Sequence, residues 1–209
     1  MNLSRAFLIS AFSFLCISCA TPLPRPPGDQ LQQLWQARAA RLTPIQHWEL
    51  RARLAVRADE RGGQVSVHWR RDGARHSIRL TGPLGRGVLH LTQDESGAHL
   101  RDAEQHVLHA ASGEDLLFRY TGWRLPVANL NYWVRGLPAP DLAVVTELDD
   151  MGRLKNLRQQ DWDVEYQEYV RSEGHELPSR LRLTSLANAS SGQPAMEVRL
   201  VIERWAQVQ

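Results

Sequence analysis

Trp48-Glu-Leu-Arg-Ala-Arg-Leu-Ala-Val-Arg57 is a run of period two. Trp48, Leu50, Ala52, Leu54 and Val56 point one way, while Glu49, Arg51, Arg53 and Arg57 point the other, with Ala55 the small exception. Successive side chains alternate across a strand, so this pattern predicts a β-strand with one apolar and one wet face. The same period continues outward. Val65, Val67 and Trp69 alternate with Ser66, His68 and Arg70, and His76, Ile78 and Leu80 alternate with Ser77 and Arg79. Asp72-Gly73 between them is a hairpin signal, and Arg61-Gly-Gly63 is expected to turn the chain between the first two strands. Residues 88–92 and 98–108 supply further short strands, giving an antiparallel meander.

Helical signals flank and interrupt this meander. Residues 29–42 read as a helix capped by Asp29, with Leu31, Leu34, Trp35, Arg38 and Leu42 on one stripe. Ser112 with Asp115 is a capping pair ahead of Leu116, Leu117, Phe118 and Tyr120. Pro126 opens another helix, Leu130, Trp133 and Val134 form its stripe, and Gly136 stops it. Strands resume at residues 144–148 and 154–158, then around Trp162, Val164 and Tyr166, around Leu181 and Leu183, and around Val198, Leu200 and Ile202. So long a run of one-faced strands is expected to curl, because open edges are a liability, and the inserted helices can cap what it encloses. Spacing does not separate a filled core from an apolar cavity; seven tryptophans lean toward a cavity, since aromatics line ligand sites.

The N-terminus has a separate job. One cation at Arg5 precedes an apolar run over residues 6–17, too short for a membrane span and suited to a signal peptide. Ser18-Cys19 at its end resembles the lipobox of bacterial lipoproteins, with Cys16 where leucine usually stands. On that resemblance, residues 1–18 are removed and Cys19 carries the lipid; the alternative is an ordinary secretory signal with an incidental cysteine. The chain has two cysteines, so loss of Cys16 and acylation of Cys19 leave no thiol for a disulfide. Four prolines in Thr21-Pro-Leu-Pro-Arg-Pro-Pro-Gly28 make residues 19–28 a semi-rigid tether, and residues 29–209 form one domain.

Chemistry is sparse. The formal charge is +2 and the arginines are interleaved with acids, so no nucleic-acid surface is expected. No G-x-S-x-G is present, and Gly82, Gly85 and Gly87 lack a phosphate-loop lysine. His106 and His109 fall on opposite faces of a strand-like segment, and Ser190-Ser191-Gly192 reads as a turn. We therefore expect no enzyme, no catalytic residue, no metal and no cofactor. Leu84 differs: a large apolar residue between Pro83 and Gly85 at a strand connection either folds back onto the core or probes a membrane.

The lipobox, the tether, the strands at 48–56 and 65–69, the loop Thr81-Gly-Pro-Leu-Gly85 and the run Tyr132-Trp-Val-Arg-Gly-Leu-Pro138 occur in this order. Together they resemble the LolB family of outer-membrane lipoprotein receptors. The resemblance implies a mainly β fold, a half-open antiparallel barrel of about eleven strands with a helical lid. It implies a monomer that receives acylated lipoproteins from a LolA-like periplasmic carrier and passes them into the inner leaflet of the outer membrane. The family's membrane-inserting leucine falls on Leu84, flanked by Pro83 and Gly85, and Ala20 after the anchor cysteine implies the outer membrane. Candidate acyl-chain residues are Leu50, Leu54, Val67, Trp69, Ile78 and Leu80, with Leu117 and Trp133 in the lid. A scaffold lipoprotein and a carrier of free lipids remain the other readings.

Overall fold

The computed structural model describes residues 26–85, 87–185, 187 and 195–209. The signal peptide, Cys19 and the turn at Ser190-Ser191-Gly192 lie outside the described residues.

A helix, α1 (Gly28–Leu42), leads into β1 (His47–Ala58), β2 (Arg61–Asp72), β3 (Arg75–Thr81), β4 (Val88–Asp94), β5 (Gly97–Arg101) and β6 (Val107–Ala110). Two helices follow, α2 (Gly113–Thr121) and α3 (Val127–Trp133). The chain then returns through β7 (Val144–Leu148), β8 (Leu154–Gln159), β9 (Trp162–Ser172), β10 (His175–Ser185) and β11 (Met196–Ala206). Among the described residues the strands join one 11-stranded sheet in the order β6-β5-β4-β3-β2-β1-β11-β10-β9-β8-β7. Every pairing is antiparallel, and β6 and β7 do not meet, so the barrel stays open. The expected mainly β, half-open architecture holds.

The alternation in β1 is realised as read: Trp48, Leu50, Ala52 and Val56 are buried on the inner face and Arg51, Arg53 and Arg57 are exposed on the outer. Gly73 and Ala74 turn β2 into β3, with Asp72 opposite Arg75 and Gly73 at φ 59°. Arg61-Gly-Gly63 is not the turn. Asp59 and Glu60 make it, and residues 61–63 already pair with Ala58, Arg57 and Val56. These glycines permit close approach: a Cβ on Gly62 would stand 2.9 Å from the Val56 carbonyl oxygen, and one on Gly63 would meet Trp123 at 3.4 Å. Asp29 is likewise not the cap of α1. The helix starts one residue earlier behind Pro27, without a side-chain cap, and Asp29 sits in the first turn, where a carboxylate favours the helix dipole.

The Ser112 hydroxyl caps α2, accepting from the Asp115 N–H at 3.1 Å. Gly113 lets this helix sit on β4, since a Cβ there would fall 2.9 Å from Leu91. Leu116 and Leu117 on α2 and Leu130 and Trp133 on α3 then close over the inner face. The core runs from Leu42 to Val208, so a chain starting at Pro22 retains all of it.

The strand ends define two rims. The β3–β4 connection, the β1–β2 hairpin and the β8–β9 turn share one; the β2–β3, β7–β8 and β9–β10 hairpins share the other. α1 lies along the second rim. Leu31, Leu34 and Trp35 close on Gly152 in the β7–β8 hairpin, where an added Cβ would stand 2.5 Å from the Leu34 Cβ. Arg38 is buried, pairs with the Glu176 carboxylate at 3.2 Å, donates to the Glu176 carbonyl, and stacks over Tyr169 at 5.2 Å.

Candidate functional site: the apolar inner face and the Leu84 loop

Leu84 does not fold back. It is 92% exposed, on a one-turn 3-10 segment (Pro83–Gly85) closed by a Gly85 N–H to Gly82 carbonyl bond of 3.2 Å. Its φ is 59°, followed by Gly85 at 75° and Gly87 at 62°. Left-handed backbone suits glycine and costs a large L-residue roughly 1–2 kcal/mol. Neither burial nor backbone preference explains a leucine here.

The eight candidate acyl-chain residues lie on one side of the sheet. Leu50, Val67, Trp69, Ile78, Leu117 and Trp133 are buried within one hydrophobic cluster, and Leu54 and Leu80 pack against it half-buried. Leu54 pairs with Val65 and Leu80 with Val67, so Leu54, Val65 and Leu80 form a half-buried patch toward the Leu84 rim, and Trp123 comes down on Gly63 beside it. Nearer the other rim the face is aromatic: Trp48 stands edge-on to Trp69 and Trp205 with ring centres at 5.2 Å and 5.7 Å. Trp205 Nε1 donates to the Pro178 carbonyl at 2.9 Å.

Trp133 is placed more firmly than a lid residue needs. It is fully buried beside Trp162, and its Nε1 donates to Gln159 Oε1 at 2.9 Å. The Ala139 N–H donates to the same oxygen at 2.9 Å, and Gln159 Nε2 donates to the Ala139 carbonyl at 2.8 Å. Gly136, at φ 75°, lies against Pro178. The Tyr132–Pro138 run is thus a clamp between α3 and β8.

Two inner polar groups escaped the sequence reading. Trp48 Nε1 and the Tyr166 hydroxyl are buried with no hydrogen-bond partner among the described residues. Such groups carry a desolvation cost of about 1–3 kcal/mol and are rare in folded proteins. Burial and then Tyr169 hold the Tyr166 hydroxyl well above its ordinary range, so it is a donor at any physiological pH. Their strand periodicity marked them only as core.

Trp69 Nε1 donates to His76 Nδ1 at 3.2 Å, which requires a neutral imidazole. Burial, then the charges of Arg71 and Arg135, push His76 down to about 4 from its ordinary 6.5. The unfolded chain therefore takes the proton first, and stability fully present above pH 6.5 is lost as pH falls toward 4. The loss is about 3 kcal/mol. Urea midpoints measured across this window should fall more steeply for the wild type than for His76→Gln; parallel curves would remove His76 as the cause.

The histidines considered for a metal separate. His106 lies in the turn before β6, where the Asp102 carboxylate accepts from its backbone N–H at 2.9 Å and contacts its ring at 3.1 Å; His109 faces His99 at 2.7 Å on the outer sheet face. Asp102, Glu104 and His106 bring donor atoms within 4.8 Å of one another, and the hydrogen bonds of the turn account for the arrangement.

Comparison with known proteins agrees with this geometry. The family model described as "Outer membrane lipoprotein LolB" matches residues 46–205. An outer-membrane lipoprotein LolB from Pseudomonas paraeruginosa (strain DSM 24068 / PA7) is 36% identical over 203 residues, covering 96% of this chain and 95% of the relative. One from Pseudomonas putida (strain ATCC 700007 / DSM 6899 / JCM 31910 / BCRC 17059 / LMG 24140 / F1) is 38% identical over 178 residues, covering 85% and 82%. Among solved structures, the LolA superfamily protein NE2245 from Nitrosomonas europaea superposes with a TM-score of 0.52 at 8% identity, covering 86% of this chain and 94% of that one, a likeness of fold.

Proposed function

Since the chain belongs to the LolB family of outer-membrane lipoproteins, we propose that it takes acylated lipoproteins onto its apolar inner face and releases them where Leu84 enters the outer membrane. It is a lipoprotein receptor and inserter of the Lol pathway at the outer membrane. Leu84 carries the membrane step: an exposed leucine in a backbone region that disfavours it is best explained by burial elsewhere. Its transfer into lipid yields about 1.5–3 kcal/mol, enough to bias a transient docking and too little to hold the protein there.

In this reading residues 1–18 are the signal, Cys19 is the acylated anchor, residues 19–28 are the tether, and residues 29–209 form the working domain. The domain acts as a monomer at the inner leaflet and takes its cargo from a LolA-like carrier. Acyl chains enter past Leu54 and Leu80, where the inner face is half-buried, and displace side chains under α2 and α3. Leu50, Val67, Trp69, Ile78, Leu117 and Trp133 then line the opened space. Trp48 Nε1 and the Tyr166 hydroxyl suit the ester and amide carbonyls of the acylated cysteine. Transfer of this kind breaks no covalent bond.

The test is a two-step transfer. Carrier loaded with a labelled lipoprotein is mixed with the domain from Pro22 onward, and vesicles are then added. The label should pass to the domain and then to lipid. A domain that takes no label would sink the reading in favour of a scaffold, and one that takes only free lipid would favour a lipid carrier. Tyr166→Phe adds a finer expectation: its urea midpoint should hold or rise, since a partnerless hydroxyl is removed, while cargo uptake weakens roughly fivefold. Unchanged uptake would return Tyr166 to the core.

A further inference from the structure

We propose that the outer sheet face beside Leu84 seats the phosphate of an anionic phospholipid headgroup, so that the protein reads the charge of the membrane it enters. This rests on the reading of Leu84 as a membrane probe. The loop leans toward the outer face. Pro83 and Leu84 form one wall of an open groove of about 540 Å³, whose floor is Ser66 on β2 and Arg53, Arg199 and Val201 on β1 and β11. The outer face therefore carries both the exposed leucine and a pair of arginines.

The pairing register brings the arginines together. Arg53 lies opposite Val201 and Arg199 opposite Ala55, which makes the two arginines diagonal neighbours on one face. Diagonal positions stand roughly 7–8 Å apart, a span two long side chains close around one phosphodiester. Both side chains are well exposed, at 78% and 62%. Each meets a carboxylate through Nε, Arg53 with Glu203 at 2.6 Å and Arg199 with Glu197 at 2.7 Å. A guanidinium carries five N–H donors, more than one carboxylate occupies, so each arginine keeps donors for a phosphate oxygen. Glu197 also serves Arg182 at 2.6 Å, so the carboxylate that meets Arg199 is divided between two guanidiniums. Solvated arginines on a strand are ordinary. What points to a ligand is their convergence on a groove walled by an exposed leucine, cation at headgroup height and apolar tip beyond it.

The domain from Pro22 onward, Arg53→Gln/Arg199→Gln and Leu84→Glu would each be sedimented with vesicles of phosphatidylglycerol and phosphatidylethanolamine, and with vesicles of phosphatidylcholine. The wild type should prefer the anionic vesicles. The double variant should lose roughly thirtyfold on them, as expected for two basic residues at an anionic surface, with no change on phosphatidylcholine. Far-UV circular dichroism should match, because both side chains are at the surface. Equal binding of wild type and double variant to anionic vesicles, with Leu84→Glu failing on both, overturns the headgroup seat and leaves the Leu84 reading intact. Wild-type binding by Leu84→Glu instead removes the premise. Displacement of the wild type by millimolar inorganic phosphate makes the groove a free-phosphate site and also overturns the proposal.

Discussion

Leu84→Glu is expected to accept cargo at the wild-type rate and to deliver it to vesicles roughly a hundredfold more slowly. Leucine burial in lipid is worth about 1.5–3 kcal/mol, and a carboxylate in its place adds a desolvation cost. Uptake should be spared because the Leu84 side chain is outside the buried apolar cluster of the inner face. Stability should be spared as well. The side chain is 92% exposed, and surface substitutions of this kind usually fall within about 0.5 kcal/mol. The measurement is paired: label retained by the domain against label reaching vesicles, with a thermal melt of each protein. Delivery at the wild-type rate would end the role given to Leu84. A melt lowered by many degrees would reassign the defect to folding.

Arg135→Met should be strongly destabilising, costing about 3–4 kcal/mol. Arg135 is buried. Its Nη1 donates to the Leu42 and Ile45 carbonyls at 3.2 Å and 3.1 Å, and its Nε to the Asn131 carbonyl at 3.0 Å. Burial, then the charge of Arg71, pulls its pKa down to about 10, so it stays a cation at neutral pH, and its guanidinium lies over the Tyr132 ring at 5.3 Å. Methionine fills the volume, takes the Arg135 donor from the Ile45 carbonyl and leaves the Leu42 carbonyl with the Ile45 N–H at 3.3 Å, while an orphaned buried carbonyl costs about 1–3 kcal/mol. At this chain length the melting temperature should drop by roughly 10 °C. Hydrogen exchange should show α1 opening first, because Arg135 is what ties its C-terminus to α3. Unchanged exchange in α1 would show that Arg38 and Gly152 hold the helix by themselves.

These two residues mark how far sequence reasoning reached. Strand periodicity from Trp48 onward set the curled sheet and its inner face, because burial on one side repeats every second residue. Leu84 was legible as an anomaly, a large apolar residue where the chain turns. Arg135 and Gln159 were not. Each sits in a helical or strand pattern as an ordinary polar residue, and its partners lie 90 and 20 residues away in the chain. Gly62 and Gly63 misled for a related reason. Glycine is needed for close approach as well as for turning, and only Val56 and Trp123 in place show which. The inner face was named correctly as a set, yet whether it is filled depends on α2 and α3 lying down on it, which no local pattern states.

The placement of α1 bears on posture. The helix lies on the rim away from Leu84, and its first residue follows Cys19 by only nine positions. Nine extended residues reach roughly 30 Å at most, while a seven-residue strand such as β3 is already roughly 23 Å tall. If Cys19 is the anchor proposed above, the leash is only just long enough to run back past the sheet, so Leu84 meets the lipid that holds Cys19 either with the leash drawn nearly straight or with the strands tilted toward the membrane plane.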